Sequence, residues 1–218
     1  MLLTHYGIRE WGLASVIALG VAAIIVWLGW WWLLCIPVLG WIAVAGFFRD
    51  PLLRRPASED PRMLLSPADG RVTAVERLES HEVTGEEPAF LVRIFLSVLD
   101  VHINRAPCDG VVESRTHRPG EYLDARTEES ARVNESNLVI LKCEDNEPVG
   151  IRQVSGAIAR RIVCPITIGE KLTRAQRFGM IKFGSTTELI IRDREGVSAQ
   201  VAVGDRVRGG VTVLIRIP

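Results

Sequence analysis

Charge is missing from one long stretch of this chain. Between Glu10 and Arg49 there is no Asp, Glu, Lys or Arg, and all six tryptophans fall inside that run, at Trp11, Trp27, Trp30, Trp31, Trp32 and Trp41. Net charge is absent as well, with 26 basic residues against 26 acidic ones. A balanced chain has no strong field to draw nucleic acid, and no basic stripe with interleaved aromatics argues for that partner. Cysteine is scarce: Cys35, Cys108, Cys143 and Cys164 lie far apart in sequence. That spacing gives neither a zinc-ligand pattern nor a disulfide framework, so no metal is expected and reduced thiols of a cytosolic domain are the simpler reading.

The uncharged run is long for one membrane crossing and slightly short for two, since a helical span takes roughly 20 apolar residues. A hairpin is expected, with helices over 12–28 and 33–48, in preference to a single tilted span. Gly29 and the Trp30-Trp31-Trp32 cluster would form its turn, with the indoles at headgroup level. Pro37 would sit in the first turns of the second helix, where a missing N–H costs little. A cleaved signal peptide fits less well, because its apolar core is shorter and no clear small-residue cleavage site follows. Arg49, Arg54, Arg55 and Arg62 follow the run while Arg9 precedes it. That bias points the following domain toward the cytoplasmic face of the cell (inner) membrane.

Beyond Pro51, short runs of apolar and β-branched residues recur between Gly, Pro and Asp, the pattern of a strand-rich domain. Strands are expected at 71–77, 90–96, 110–116, 137–143, 150–154, 161–166, 179–183, 187–191, 198–203 and 212–217, with a helical stretch near 127–133. The fold class is therefore mainly β (α+β), with an N-terminal hydrophobic helical hairpin. The division is 1–48 for the anchor and 49–218 for a domain large enough to bury its own core.

One junction carries chemistry. Gly184-Ser185 lies in the run Arg177-Phe178-Gly179-Met180-Ile181-Lys182-Phe183-Gly184-Ser185-Thr186. A serine hydroxyl with a neighbouring base can attack the preceding carbonyl and turn the peptide bond into an ester. Elimination and hydrolysis would then leave a pyruvoyl ketone at position 185, and glycine at 184 suits the close approach. Standing alone, such a pair is more often an ordinary turn.

The surroundings add to it. Arg152 to Cys164, read as Arg-Gln-Val-Ser-Gly-Ala-Ile-Ala-Arg-Arg-Ile-Val-Cys, precedes the junction. Upstream stand Phe47-Phe48-Arg49-Asp50-Pro51, Ser66-Pro67-Ala68-Asp69-Gly70, Phe95-Leu96-Ser97, Val101-His102-Ile103-Asn104-Arg105-Ala106-Pro107 and Pro119-Gly120-Glu121-Tyr122-Leu123-Asp124-Ala125. From about Phe47 to the C-terminus this series resembles the phosphatidylserine decarboxylases, in particular their short prokaryotic, archaetidylserine decarboxylase-like branch.

The resemblance implies self-cleavage between Gly184 and Ser185 into a β chain (1–184) and an α chain (185–218). The covalent pyruvoyl group made from Ser185 would form a Schiff base with phosphatidylserine and release carbon dioxide to give phosphatidylethanolamine. Ser185 would be the nucleophile and His102 the base, with Asp69 orienting the imidazole. The expected partners are phospholipid and membrane, and paired chains in a shared bilayer are compatible with a homodimer.

Two positions depart from the long branch of the family or from the short one. The second histidine of the long branch falls on Arg105, which cannot act as a base, as in the short branch. His102 then serves both steps, or another base such as His117 starts cleavage, and Asp100 is a second candidate orienter. Thr186 follows Ser185, as in the long branch. His5 and His81 lie outside every motif. Arg152, Arg160 and Arg161 could pair with phosphate or carboxylate, or be solvated. Residues 201–210 are similar to the turns of lipoyl-type β barrels, but no lysine stands in a hairpin there. Two other readings share part of this pattern: a pyruvoyl-dependent decarboxylase of a different amine substrate, and a non-enzymatic membrane-anchored β-barrel scaffold.

Overall fold

The computed structural model describes residues 2–143, 147–157, 161–182 and 184–218, and it divides into two compact units, Met1–Leu52 and Leu53–Pro218. In the first, strand β1 (Leu2–Leu3) pairs antiparallel with β2 (Arg49–Asp50), closing the base of two helices, α1 (Ile8–Trp27) and α2 (Cys35–Phe47). α1 ends where Gly29 turns to φ 74°. The Trp30 amide donates to the Ile25 carbonyl and the Gly29 amide to Val26, which satisfies two carbonyls that the helix end would otherwise leave open. Pro37 is the third residue of α2, where its missing N–H breaks no intrahelical bond. The indole of Trp41 on α2 donates to Ser15 Oγ on α1 at 2.8 Å, and that hydroxyl donates to the Trp11 carbonyl at 2.7 Å. Apart from such contacts the helices show apolar side chains on all sides; Trp27 is 84 % exposed and Leu19 72 %. Residues His5–Trp27 are long and apolar enough to cross a membrane, and Trp31–Phe47 is a shorter apolar stretch.

The second unit is built on an antiparallel sheet of eight strands. Their order is β11 (Lys171–Leu172), β7 (Gly110–Arg118), β8 (Ser136–Lys142), β9 (Pro148–Val154), β13 (Ser185–Arg192), β5 (Ala89–Leu96), β4 (Gly70–Leu78) and β15 (Arg206–Val207). A second sheet runs β10 (Arg161–Val163), β12 (Arg177–Lys182), β6 (Ile103–Arg105). A third runs β14 (Ser198–Ala199), β16 (Val213–Arg216), β3 (Met63–Leu65). The short helix α3 (Glu128–Val133) starts at Thr127, whose hydroxyl accepts the Ser130 amide at 3.2 Å.

β13 is the centre of the large sheet and is buried from Ser185 to Ile191. Alternate side chains leave a strand on opposite faces, and this strand separates two apolar clusters. Leu189 and Ile191 belong to the larger one with Val92, Ile94, Leu141 and Ile151, and Ile190 to a smaller one with Leu91 and Leu138. The mainly β expectation is met, and the strands expected at 71–77, 90–96, 110–116, 137–143 and 150–154 lie within two residues of β4, β5, β7, β8 and β9. The expected strands at 161–166 and 198–203 shrink to β10 and β14, because their remainders run into turns closed by Thr167–Glu170 and Ala202–Asp205 contacts. Part of the expected strand at 179–183 falls on Phe183, which lies outside the described residues.

Candidate functional site

β12 ends at Lys182 and β13 begins at Ser185. The Gly184-Ser185 junction is therefore part of a short connector that takes the chain from one sheet into the next. Gly184 holds φ 65° there, a conformation that costs a residue with a Cβ about 1–2 kcal/mol. Ser185 then pairs with Leu96 of β5, and Thr186 pairs with both Phe95 and Val154.

The other side of the connector is His102, which precedes β6. Its carbonyl accepts the Ile181 amide at 3.1 Å, so it extends the ladder between β6 and β12. The imidazole is fully buried. Nε2 accepts the backbone N–H of Gly184 at 3.1 Å, and Nδ1 lies 3.0 Å from the Asp100 carbonyl. An amide can only donate and a carbonyl can only accept, so the proton sits on Nδ1 and the lone pair on Nε2. This is the tautomer a general base needs. The backbone carbonyl of Asp100 fixes it, while the Asp100 carboxylate accepts from the amide and hydroxyl of Ser97, at 2.9 and 2.8 Å, and closes the turn.

Ser185 Oγ is buried and has no hydrogen-bond partner among the described residues. An orphan hydroxyl costs about 1–3 kcal/mol, and such a cost persists where the group has another use. Ser155 Oγ is buried without a partner as well. Val154 pairs with Thr186, so the next step of the same antiparallel register sets Ser155 opposite Ser185 and Gly156 opposite Gly184. The backbone bears this out: a Cβ added at Gly156 would stand 2.4 Å from the Gly184 carbonyl oxygen and 3.0 Å from the Ala125 Cβ. The carbonyl of the junction thus lies against a wall with no room for a side chain.

Behind it runs a chain of buried amides. Asn137 Nδ2 donates to Gln153 Oε1 at 2.8 Å, Gln153 Nε2 to Asn104 Oδ1 at 2.8 Å, and Asn104 Nδ2 to Thr187 Oγ1 at 3.1 Å. It ties β8, β9 and β6 to β13 just past Ser185. At its far end, burial pushes the Cys164 thiol above its usual value, partly offset by the Asn137 contact.

Asp69 lies in the turn before β4. Its carboxylate is held by both Arg54 nitrogens, at 2.5 and 2.8 Å, and by the Gly209 amide at 2.9 Å. The structure brings His102 and Ser185 to one connector, whereas the partners of Asp69 are Arg54 and Gly209. Its turn still reaches the histidine segment, because the Pro67 carbonyl accepts the Arg105 amide at 2.9 Å. His117 is exposed on β7 with Nε2 2.9 Å from Glu135 Oε1, and β8 and β9 stand between its strand and β13. Arg152 pairs with the buried Glu188 at 3.4 Å, and Glu188 also takes Arg93 Nε at 2.7 Å. Arg161 is exposed on β10, and Arg160 lies outside the described residues. Ser155, Gly156 and Asn104 were not singled out from sequence as parts of a site, although all three stand inside the quoted motifs; Asp100 was a candidate for its carboxylate, whereas it is its carbonyl that meets the His102 ring.

A separate cavity of about 270 Å³ opens at the opposite end of β13, lined among others by Cys108, Cys143, Arg174, Ile191 and Arg192. None of Ser185, His102 or Asp69 borders it. The Cys108 and Cys143 sulfurs, distant in sequence, come within 3.0 Å there as free thiols. The Cys143 contact and burial raise the Cys108 thiol well above its usual range.

The sequence profile of the phosphatidylserine decarboxylases matches residues 42–215. Among similar proteins is the phosphatidylserine decarboxylase proenzyme of Carboxydothermus hydrogenoformans, 41% identical over 207 residues and 94% of each chain. That of Symbiobacterium thermophilum is 41% identical over 96% of this chain and 86% of its own. The Rhodopirellula baltica proenzyme is 39% identical with the same coverage.

Proposed function

The chain belongs to the phosphatidylserine decarboxylase family, and from that premise we propose that it is a proenzyme that cuts itself between Gly184 and Ser185 and then decarboxylates phosphatidylserine to phosphatidylethanolamine. The observation that carries this reading is the buried Ser185 Oγ, without a hydrogen-bond partner among the described residues and one residue past the amide that His102 Nε2 holds.

In the first step Ser185 Oγ attacks the Gly184 carbonyl carbon. His102 Nε2 releases the Gly184 amide, takes the hydroxyl proton and returns it to the Ser185 nitrogen as the C–N bond breaks. The Gly156 wall would hold the carbonyl against drift, and Gly184, at positive φ, brings no side chain to the junction. Removal of the Cα proton of residue 185 then expels the Gly184 carboxylate. Water hydrolyses the resulting dehydroalanine to a pyruvoyl ketone, releasing ammonia.

The site fits such a group: its precursor oxygen makes no competing bond, and its walls are glycine and buried amides. When formed, the ketone supplies an electron sink for loss of carbon dioxide from an amino acid bound to it. His102, with its tautomer fixed by the Asp100 carbonyl, would hand a proton back to the α-carbon. Asp69 acts as a positioning residue, fastening the 66–70 turn on which the Arg105 end of the histidine segment rests. The apolar N-terminal helices would moor the enzyme to the membrane that supplies its lipid, with the second unit on the cytoplasmic side.

Intact mass of the detergent-solubilised protein beside Ser185→Ala tests the first step, and phosphatidylserine turnover tests the second. Two fragments meeting at 184/185 in wild type, an uncut Ser185→Ala chain and carbon dioxide release from phosphatidylserine are expected. An uncut wild-type chain would remove the decarboxylase reading and leave the scaffold in its place. Release from free serine but not from the lipid would move the substrate to a soluble amino acid.

A further inference from the structure

Among the described residues of the second unit, seven large apolar side chains are exposed: Leu53, Val98, Leu99, Val111, Tyr122, Ile168 and Val203. Three of them belong to loops fastened to the Ser185 end of β13. Val98 and Leu99, 47 % and 81 % exposed, form the tip of the turn over 97–100. On one side this turn continues from Leu96, which pairs with Ser185. On the other the Asp100 carbonyl holds the His102 ring, and the Asp100 carboxylate staples the turn through Ser97. The tip is thus presented to solvent on a hydrogen-bonded support, not on a slack loop.

Tyr122 lies on the second loop, 119–127. Asn134 fixes that loop by accepting the Leu123 amide and donating to the Leu123 and Ser155 carbonyls, each at 2.9 Å. Ala125 fixes it again by accepting Thr186 Oγ1 at 3.1 Å. Both loops therefore hang from the residues that surround the junction.

Resting on the substrate assignment above, we infer that Val98, Leu99 and Tyr122 form an apolar rim that dips into the interfacial layer of the bilayer and receives the lipid there. Ser185 and His102 are fully buried, so a two-tailed substrate must pass its head group inward while its tails stay in hydrocarbon. The protein surface bordering that passage has to meet the glycerol and upper acyl region, where aliphatic side chains and tyrosine settle favourably. Exposed apolar groups on hydrogen-bonded supports gain nothing from water, and their place on loops fastened to the Ser185 end of β13 suits a contact surface.

The test uses full-length protein reconstituted in phosphatidylcholine vesicles, comparing wild type with Val98→Ser/Leu99→Ser. One substrate is long-chain phosphatidylserine in the same vesicles; the other is dihexanoyl phosphatidylserine, dissolved in water. The rim predicts that the double variant processes itself normally and loses about tenfold in turnover of the long-chain lipid. On the soluble lipid it should stay within about twofold of wild type, well below that tenfold step. Equal losses on both substrates would overturn the inference, since the turn would then act through His102. Unchanged turnover of both would overturn it too. A wild-type protein inert toward both lipids would instead remove the substrate assignment on which the rim rests.

Discussion

His102 Nε2 accepts the Gly184 amide at 3.1 Å, which places the lone pair of a buried, neutral imidazole one residue before the serine whose hydroxyl has no partner. The contact sets the resting state of the junction. The ring is oriented and its tautomer chosen, and to act as the proposed base it must exchange an amide for a hydroxyl. His102→Ala removes the base and leaves the Asp100 and Gly184 backbone groups without their ring partner. Self-cleavage should slow by roughly 10²–10⁴-fold, the usual worth of a positioned general base. Intact mass followed over hours after synthesis reads it, and cleavage at the wild-type rate would pass the role of base to another residue.

Gly156 gives a sharper geometric test, because it stands against the Gly184 carbonyl, where the proposed attack falls. A methyl at this position would meet the Gly184 oxygen at 2.4 Å, so the carbonyl or the 155–157 backbone must move. Displacing a reacting centre by about 1 Å can cost about 10²-fold, and Gly156→Ala should slow processing by that order. Circular dichroism should still report the β-rich fold, since β9 ends at Val154. A variant that cleaves normally would show that the wall is not part of the reacting geometry.

Asp69 and Arg54 form a pair with side chains only 14 % and 8 % exposed. Breaking a buried pair by removing one partner costs about 3–5 kcal/mol. Asp69→Asn and Arg54→Met should each lose that order of stability in urea, and the double variant should lose less than the sum. If Asp69 acts by fastening its turn, Arg54→Met slows self-cleavage as much as Asp69→Asn. If Asp69 touched the imidazole directly, only Asp69→Asn would slow it.

The strands around the site were legible because their signal is local: β-branched runs between turn residues fix existence and approximate ends, as at β4, β5, β8 and β9. The short strands β3, β6, β11 and β15 were not, since two or three residues carry no period and are held by partners far along the chain. Ser185 and His102 could be named from their motifs, and the fold brings them together. The partners of Asp69 could not be read, because Arg54 stands in no motif, residues 201–210 gave no sign of a link to the 66–70 turn, and the contact spans 140 residues to Gly209. The Asp100 contribution comes from its backbone, to which residue identity is blind. Gly156 and the Cys108–Cys143 contact depend on register and on sheet curvature, neither of which has a one-dimensional signature.

His81 links stability to pH. Its Nδ1 accepts the Val83 amide at 3.1 Å, and burial lowers its pKa from the usual 6.5. The unfolded chain therefore binds a proton more readily than the folded one. The contribution is fully present above about pH 6.5 and is lost as pH falls through the lower folded value. Thermal midpoints of Ser185→Ala, chosen to keep one uncut species, should fall between pH 7 and about 5, where carboxylates begin to titrate. Adding His81→Asn should flatten that slope; an unchanged slope would assign it to other groups.

The proposed cut before Ser185 would not release the piece that follows. Residues Ser185–Arg192 of β13 are paired with β5 on one side and over six of their positions with β9 on the other. Further on, β15 pairs with β4 and β16 with β3, so the α fragment is interleaved through two sheets of the β fragment. The two chains should co-elute in native size-exclusion and part only in denaturant. Such a break would nevertheless change the thermodynamics, because unfolding would then liberate two molecules. The denaturation midpoint of processed protein should rise with protein concentration, as for any complex with no folded free partner, while uncut Ser185→Ala should show no such dependence. Loss of the α fragment in a native wash, or a concentration-independent midpoint in the processed enzyme, would mean that β13 is not held from both sides after the cut.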